Sequence, residues 1–153
     1  MTKTESSTLL LSLGDRESRV RLTGEDGVSR EFVLALGLDA MTPGPFRRDP
    51  PTPLELEQAI MVVEDVLMPL AAHVPPHPLV ELHSPVPLAE VLGSRVQSRE
   101  NIERLFGQLV AMVEGDPLAS AQLPRDRRFA AALLILREWM HHLDAGSVAL
   151  VDQ

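Results

Sequence analysis

Residues 8–36 read TLLLSLGDRESRVRLTGEDGVSREFVLAL, and this stretch decides the fold. Residues 8–13 form a short apolar run stopped by Gly14 and Asp15. Arg19-Val20-Arg21-Leu22-Thr23 alternates polar and apolar side chains with period two, the pattern of a strand with one wet face. Gly24-Glu25-Asp26-Gly27 is rich in residues that tolerate positive φ and reads as a hairpin loop. Residues 28–36 then supply a third strand, apolar at Phe32, Val33, Leu34 and Leu36. Three strands joined by tight turns are predicted to be antiparallel neighbours.

Downstream, residues 39–51 carry too much Pro and Gly for regular structure. Thr52-Pro53-Leu54-Glu55 opens a helix: Thr52 suits the N-cap, Pro53 the first helical position, and Glu55 completes a capping box. Leu56, Ala59, Ile60, Val63, Val66, Leu67 and Leu70 recur at helical spacing, with Glu57, Gln58, Glu64 and Asp65 on the other side. Residues 79–83 read as a strand, 99–114 and 127–143 as helices, and 147–152 as a closing strand. The last helix is expected to face inward with Phe129, Ala132, Leu133, Leu136, Trp139, Met140 and Leu143. The prediction is one α+β domain over residues 8–153, a mixed sheet opening with an antiparallel meander and covered by helices, after a disordered tail at 1–7.

Composition narrows the function. Of 153 residues, 14 are Lys or Arg and 22 are Asp or Glu, a net charge of −8 that argues against nucleic acid as a partner. Aromatics are 3% and Tyr is absent, so the core must be aliphatic and base-stacking platforms are lacking. The absence of Cys removes disulfides, thiol catalysis and Cys-based zinc sites. No apolar run reaches the roughly 18–20 residues of a membrane span, and the polar opening MTKTESS does not read as a signal peptide. A cytoplasmic protein with no membrane partner is expected.

The opening Leu11-Ser12-Leu13-Gly14-Asp15-Arg16-Glu17-Ser18, with the strand Arg19-Val20-Arg21-Leu22 after it, resembles the start of exopolyphosphatases of the Ppx/GppA type. That branch belongs to the actin, sugar-kinase and Hsp70 superfamily, whose lobes are ribonuclease H-like. In the family an Asp-x-Gly-Ser-Asn-Ser loop joins the first two strands, and Leu82-His83-Ser84 lies where it has a Thr-Ser. The resemblance implies a ribonuclease H-like lobe. It also implies lost chemistry: Ser12 stands at the position of the catalytic Asp and cannot serve Mg²⁺ as a carboxylate does. Asp15-Arg16-Glu17-Ser18 puts two carboxylates where polyphosphate would sit. The superfamily catalyses between two lobes, and 153 residues suffice for one. The expectation is therefore no catalytic residue and no cofactor, with a homo-oligomer or protein partner covering the surface that a second lobe would bury.

An enzymatic alternative rests on histidine. His73, His77, His83 and His142 could hold a divalent transition metal for a metal-assisted hydrolase, although Pro75, Pro76 and Pro78 forbid a helix that would align the first two. The bland counterpart is surface histidine in a loop and at a helix end. Arg125, Arg127 and Arg128 could bind an anion at the start of the last helix, or be a solvated first turn. Pro75-Pro76-His77-Pro78 and Pro85-Val86-Pro87 could present polyproline II to a partner, or simply stiffen connections. The paired acids Glu25-Asp26, Glu55/Glu57 and Glu64-Asp65 read as solvated faces.

Overall fold

A computed structural model describes residues 7–39, 46–120 and 123–153. The three expected strands are β1 (Thr8–Ser12), β2 (Ser18–Thr23) and β3 (Ser29–Leu34), each antiparallel to the next. The capping box then starts α1 (Pro53–Ala71): the Thr52 hydroxyl accepts the Glu55 amide at 3.2 Å, and the Glu55 carboxylate accepts the Thr52 amide at 3.1 Å. This helix carries the chain across the sheet, so β4 (Leu79–Ser84) lies parallel to β1. Next come α2 (Leu88–Leu92), β5 (Val96–Ser98), α3 (Arg99–Val113), α4 (Pro117–Ser120), α5 (Arg127–His142) and β6 (Ser147–Asp152). The strands form one open mixed sheet in the order β3-β2-β1-β4-β6-β5, with β6 parallel to β4 and antiparallel to β5. This is the α+β architecture expected from the sequence.

Period two divides the sheet into two unlike faces. Leu9, Leu11, Val20, Leu22, Val80, Leu82, Val148 and Leu150 share one face by register and are all buried in the core. On the other face not one strand residue is buried. There Arg19 and Arg21 pair in register with Val33 and Glu31, Leu10 with Arg21 and Glu81, and Ser12 with Arg19 and His83.

The helix α5 departs from the amphipathic reading. Its expected inward residues are buried, but so are Ala130, Ala131, Leu134 and Ile135. It contacts both α1 and α3, and a helix enclosed from several sides must be apolar nearly all round.

Three short elements escaped the sequence. Neither α4 nor β5 is long enough to carry a periodic signal, and α2 follows Pro87, whose ring offers no side-chain cap. The cap comes from the far end of the chain: the Asp152 carboxylate accepts the amides of Ala89 and Glu90 at 2.9 and 3.0 Å. Val86, between the two prolines, is buried, and its amide donates to the Ser84 hydroxyl. Within the expected tail, residues 1–6 lie outside the described residues. Ser7 is buried and its carbonyl accepts the Leu79 amide at 2.8 Å. Among the described residues no helix is long and apolar enough to cross a membrane.

Candidate functional site

The turn between β1 and β2 is where the resemblance would place phosphate. Its backbone is tied to the segment after β3: the Leu38 amide donates to the Gly14 carbonyl at 2.9 Å, and the Asp39 amide to the Asp15 carbonyl at 2.7 Å. Ser18, buried at the start of β2, donates its hydroxyl to the Leu36 carbonyl and accepts the Gly14 amide. Gly37 is required here for space. A Cβ on it would stand 2.5 Å from the Asp15 carbonyl.

Arg128, in the first turn of α5, closes the turn from the side. Its guanidinium donates to Asp15 at 2.9 Å and to Asp39 at 2.7 Å. Asp15, against the opposing cost of burial and with Asp39 adding to it, raises the Arg128 pKa above its ordinary value. The neighbouring Arg127 donates its amide to Asp49 and its side chain to the Phe46 carbonyl, while Asp126 caps the helix by accepting the Arg128 amide. Two of the three arginines proposed as an anion site are thus held by the protein's own oxygens, and Arg125 is exposed.

The histidines lie in different settings. His73 stacks obliquely near Phe32, with ring centroids 5.8 Å apart. His77, at φ 57°, faces Asp144 at 3.6 Å. His83 sits on the open sheet face between Glu81 and Gln153, each 3.2 Å from a ring nitrogen. His142 lies at the end of α5, 3.4 Å from Glu138 on the preceding turn and 3.7 Å from Glu64 on α1. Among the described residues only Glu64, Glu138 and His142 form a group of three whose ligand atoms all lie within 4.8 Å of one another. Of the four histidines suggested by the sequence, this group contains His142 alone.

Glu138 is fully buried. Burial raises its carboxyl above the ordinary value, with the Arg137 charge pulling the other way and the Glu64 charge adding to the rise. One carboxylate oxygen accepts from Arg137 at 3.2 Å, and Arg137 also reaches Glu103 on α3 and lies over the Phe106 ring. The other oxygen, like Nε2 of His142, is buried without a hydrogen-bond partner. Glu138 and His142 stand four apart on one helix, a spacing readable in the sequence, but Glu138 lies within a run that otherwise reads as core. Glu64, expected on the solvent side of its helix, is half-buried and turned toward α5.

No protein-family model matches this sequence, and no curated protein matches it. Solved structures do match. The chain is similar to the crystal structure of the type II variant of the Aquifex aeolicus Ppx/GppA phosphatase, with a TM-score of 0.70 at 16% identity, covering 97% of this chain and 54% of that one. It is also similar to an exopolyphosphatase from Cytophaga hutchinsonii, with a TM-score of 0.64 at 14% identity, covering 96% of this chain and 53% of the other. An exopolyphosphatase-like protein gives a TM-score of 0.66 at 12% identity, over 99% of this chain and 58% of that one. At these identities the likeness is one of fold: the chain has the architecture of a Ppx/GppA-type lobe and spans about half the length of the proteins it resembles.

Proposed function

We propose that this chain is a binding or assembly lobe, built on the exopolyphosphatase-type fold without its phosphate chemistry. The observation that carries the reading is the closed β1–β2 turn, in which Arg128 is held between Asp15 and Asp39. A phosphate-binding loop needs free backbone amides and a positive field. Here the turn supplies the carboxylates of Asp15 and Glu17, the arginine that reaches it from α5 is already paired, and Ser12 ends β1 where the resembled family has its Asp.

The open face of the sheet supports a second copy of the chain as partner. It sets Val33 and Leu79, 60% and 61% exposed, on the same surface as Arg19, Arg21, Glu31 and Glu81. A surface carrying both signs around apolar side chains can complement itself under two-fold symmetry.

The test pairs an activity with a mass. The full chain, incubated with inorganic polyphosphate and Mg²⁺, is expected to release no phosphate above background, and light scattering after size exclusion is expected to give a dimer. Replacing Val33 and Leu79 together by Glu should shift that dimer to monomer. Phosphate release that Ser12→Ala abolishes would overturn the reading, and a wild-type monomer would remove the second copy from it.

A further inference from the structure

We propose that Glu64, Glu138 and His142 form a binding site for one divalent transition-metal ion, zinc by donor type, which ties α1 to α5. The site is distinct from the β1–β2 turn, and the proposal does not depend on the reading of that turn.

Three observations support it. The first is spacing. Ligands on a tetrahedral zinc with bonds of about 2.0–2.1 Å stand roughly 3.3 Å from one another. His142 Nε2 lies 3.4 Å from Glu138 Oε2 and 3.7 Å from Glu64 Oε1, and all three ligand atoms lie within 4.8 Å of one another, so a modest shift of the half-exposed Glu64 side chain would bring them onto one ion.

The second is the two buried polar atoms that face each other at 3.4 Å and make no hydrogen bond. Glu138 is wholly buried, and its Oε2 makes no hydrogen bond; neither does the buried Nε2 of His142 that it faces. Such atoms are costly to bury unless something pairs with them. An ion between them would satisfy both at once. Arg137 holds the other oxygen of Glu138, which leaves Oε2 directed at the site in the way an outer partner orients a metal ligand.

The third is donor chemistry and charge. One imidazole with two carboxylates favours zinc or another late divalent ion over Mg²⁺, which prefers oxygen and water. The charged and titratable groups around the site are Glu64 on α1, Arg137, Glu138, His141 and His142 on α5, and Glu103 on α3. Arg137 is shared between Glu103 and Glu138, so it does not neutralise the two ligand carboxylates by itself. A divalent cation would. Glu64 is 40% exposed, which leaves a side from which an ion can enter and a water can complete the coordination.

The experiment is native mass spectrometry and thermal melting of the full chain, with Zn²⁺ as the probe and Mg²⁺ as the control. One zinc per chain is expected, with a rise in melting temperature of roughly 5–10 °C at a hundredfold excess over the dissociation constant. Magnesium should give neither effect. Glu64→Gln, Glu138→Gln and His142→Gln should each weaken zinc binding by tenfold or more, whereas His73→Ala, His77→Ala and His83→Ala should not. Glu64→Gln is the deciding variant, because a half-exposed side chain can be changed without disturbing the core. No stoichiometric zinc on the wild type, or undiminished affinity in Glu64→Gln, would overturn the proposal.

Discussion

Arg128 reaches Asp15, 113 positions earlier in the chain, at 2.9 Å, and with the same guanidinium it holds Asp39 at 2.7 Å. One side chain thereby ties the first helical turn of α5 to the turn after β1 and to the segment after β3. Arg128→Ala would leave two carboxylates facing each other with no cation between them. All three side chains are partly exposed, so the global cost should stay at about 1 kcal/mol or below. The local effect should be larger. Hydrogen exchange at the Leu38 and Asp39 amides, which bond to the carbonyls of Gly14 and Asp15, is expected to accelerate before the rest of the sheet. Unchanged exchange at those amides would show that the backbone hydrogen bonds hold the turn unaided. Arg128→Lys should rescue only in part, because an ammonium lacks the planar fork that reaches two acceptors at once.

Asp152 makes a second long connection, and its energetics are those of a helix cap. The first amides of α2 cannot be satisfied by Pro87, so the carboxylate at the end of β6 takes them. Asp152→Ala should cost about 1 kcal/mol in urea unfolding, and Asp152→Asn only a few tenths, because the amide oxygen can still accept. Equal losses in the two variants would mean that the charge, and not the hydrogen bonds, stabilises this corner.

These two contacts mark the limit of what the sequence discloses. Strands β1 to β3 and helix α1 were legible because their signals are local: period-two alternation, a Gly-rich turn, and a Thr-Pro-Leu-Glu helix start. The closed turn was legible only in its composition, as Asp15 and Glu17 where a phosphate loop would avoid acids. That Arg128 would close it depends on the tertiary placement of the start of α5 against the β1–β2 turn, which no local pattern encodes. Glu64, Glu138 and His142 meet for the same reason. The spacing of Glu138 and His142 lies in the sequence, but the third member comes from α1, where one step around the helix from buried Val63 separates a solvent-facing acid from one turned to a neighbour.

The capping box gives a dependence on pH. Burial raises the Glu55 carboxyl, and the amides of Arg47 and Thr52, the Thr52 hydroxyl and the Arg47 charge outweigh it, so the group titrates below its ordinary value of 4.5. A carboxylate whose folded pKa is depressed stabilises the protein above the unfolded pKa, and that stability fades as pH falls through the folded value. Denaturation midpoints of the wild type and Glu55→Gln should therefore differ at neutral pH and converge as the pH drops below 4.5. Thr52→Ala removes the reciprocal half of the box and should cost about 1 kcal/mol at neutral pH. A gap between wild type and Glu55→Gln that widens in acid would contradict this account.

Two glycines should respond to the same substitution with opposite signs. Gly37 lies under the β1–β2 turn, and a Cβ there would press on the Asp15 carbonyl at 2.5 Å and the Arg16 amide nitrogen at 2.7 Å. Both are backbone atoms, and the Asp15 carbonyl is held by the Asp39 amide, so they cannot swing away as a side chain would. Gly37→Ala should therefore destabilise by roughly 1–3 kcal/mol, the usual cost of forcing a methyl into a packed region. Gly107 lies exposed within α3, and a Cβ there meets nothing within 4 Å. With no contact to disturb, the dominant effect is the unfolded chain's lost freedom, and Gly107→Ala should stabilise by about 0.5–1 kcal/mol. Thermal melts of the two variants make the comparison. If Gly37→Ala proved neutral, the turn would have to yield by moving Asp15 away from Gly37, and the Arg128 contacts to Asp15 and Asp39 should then be lost together.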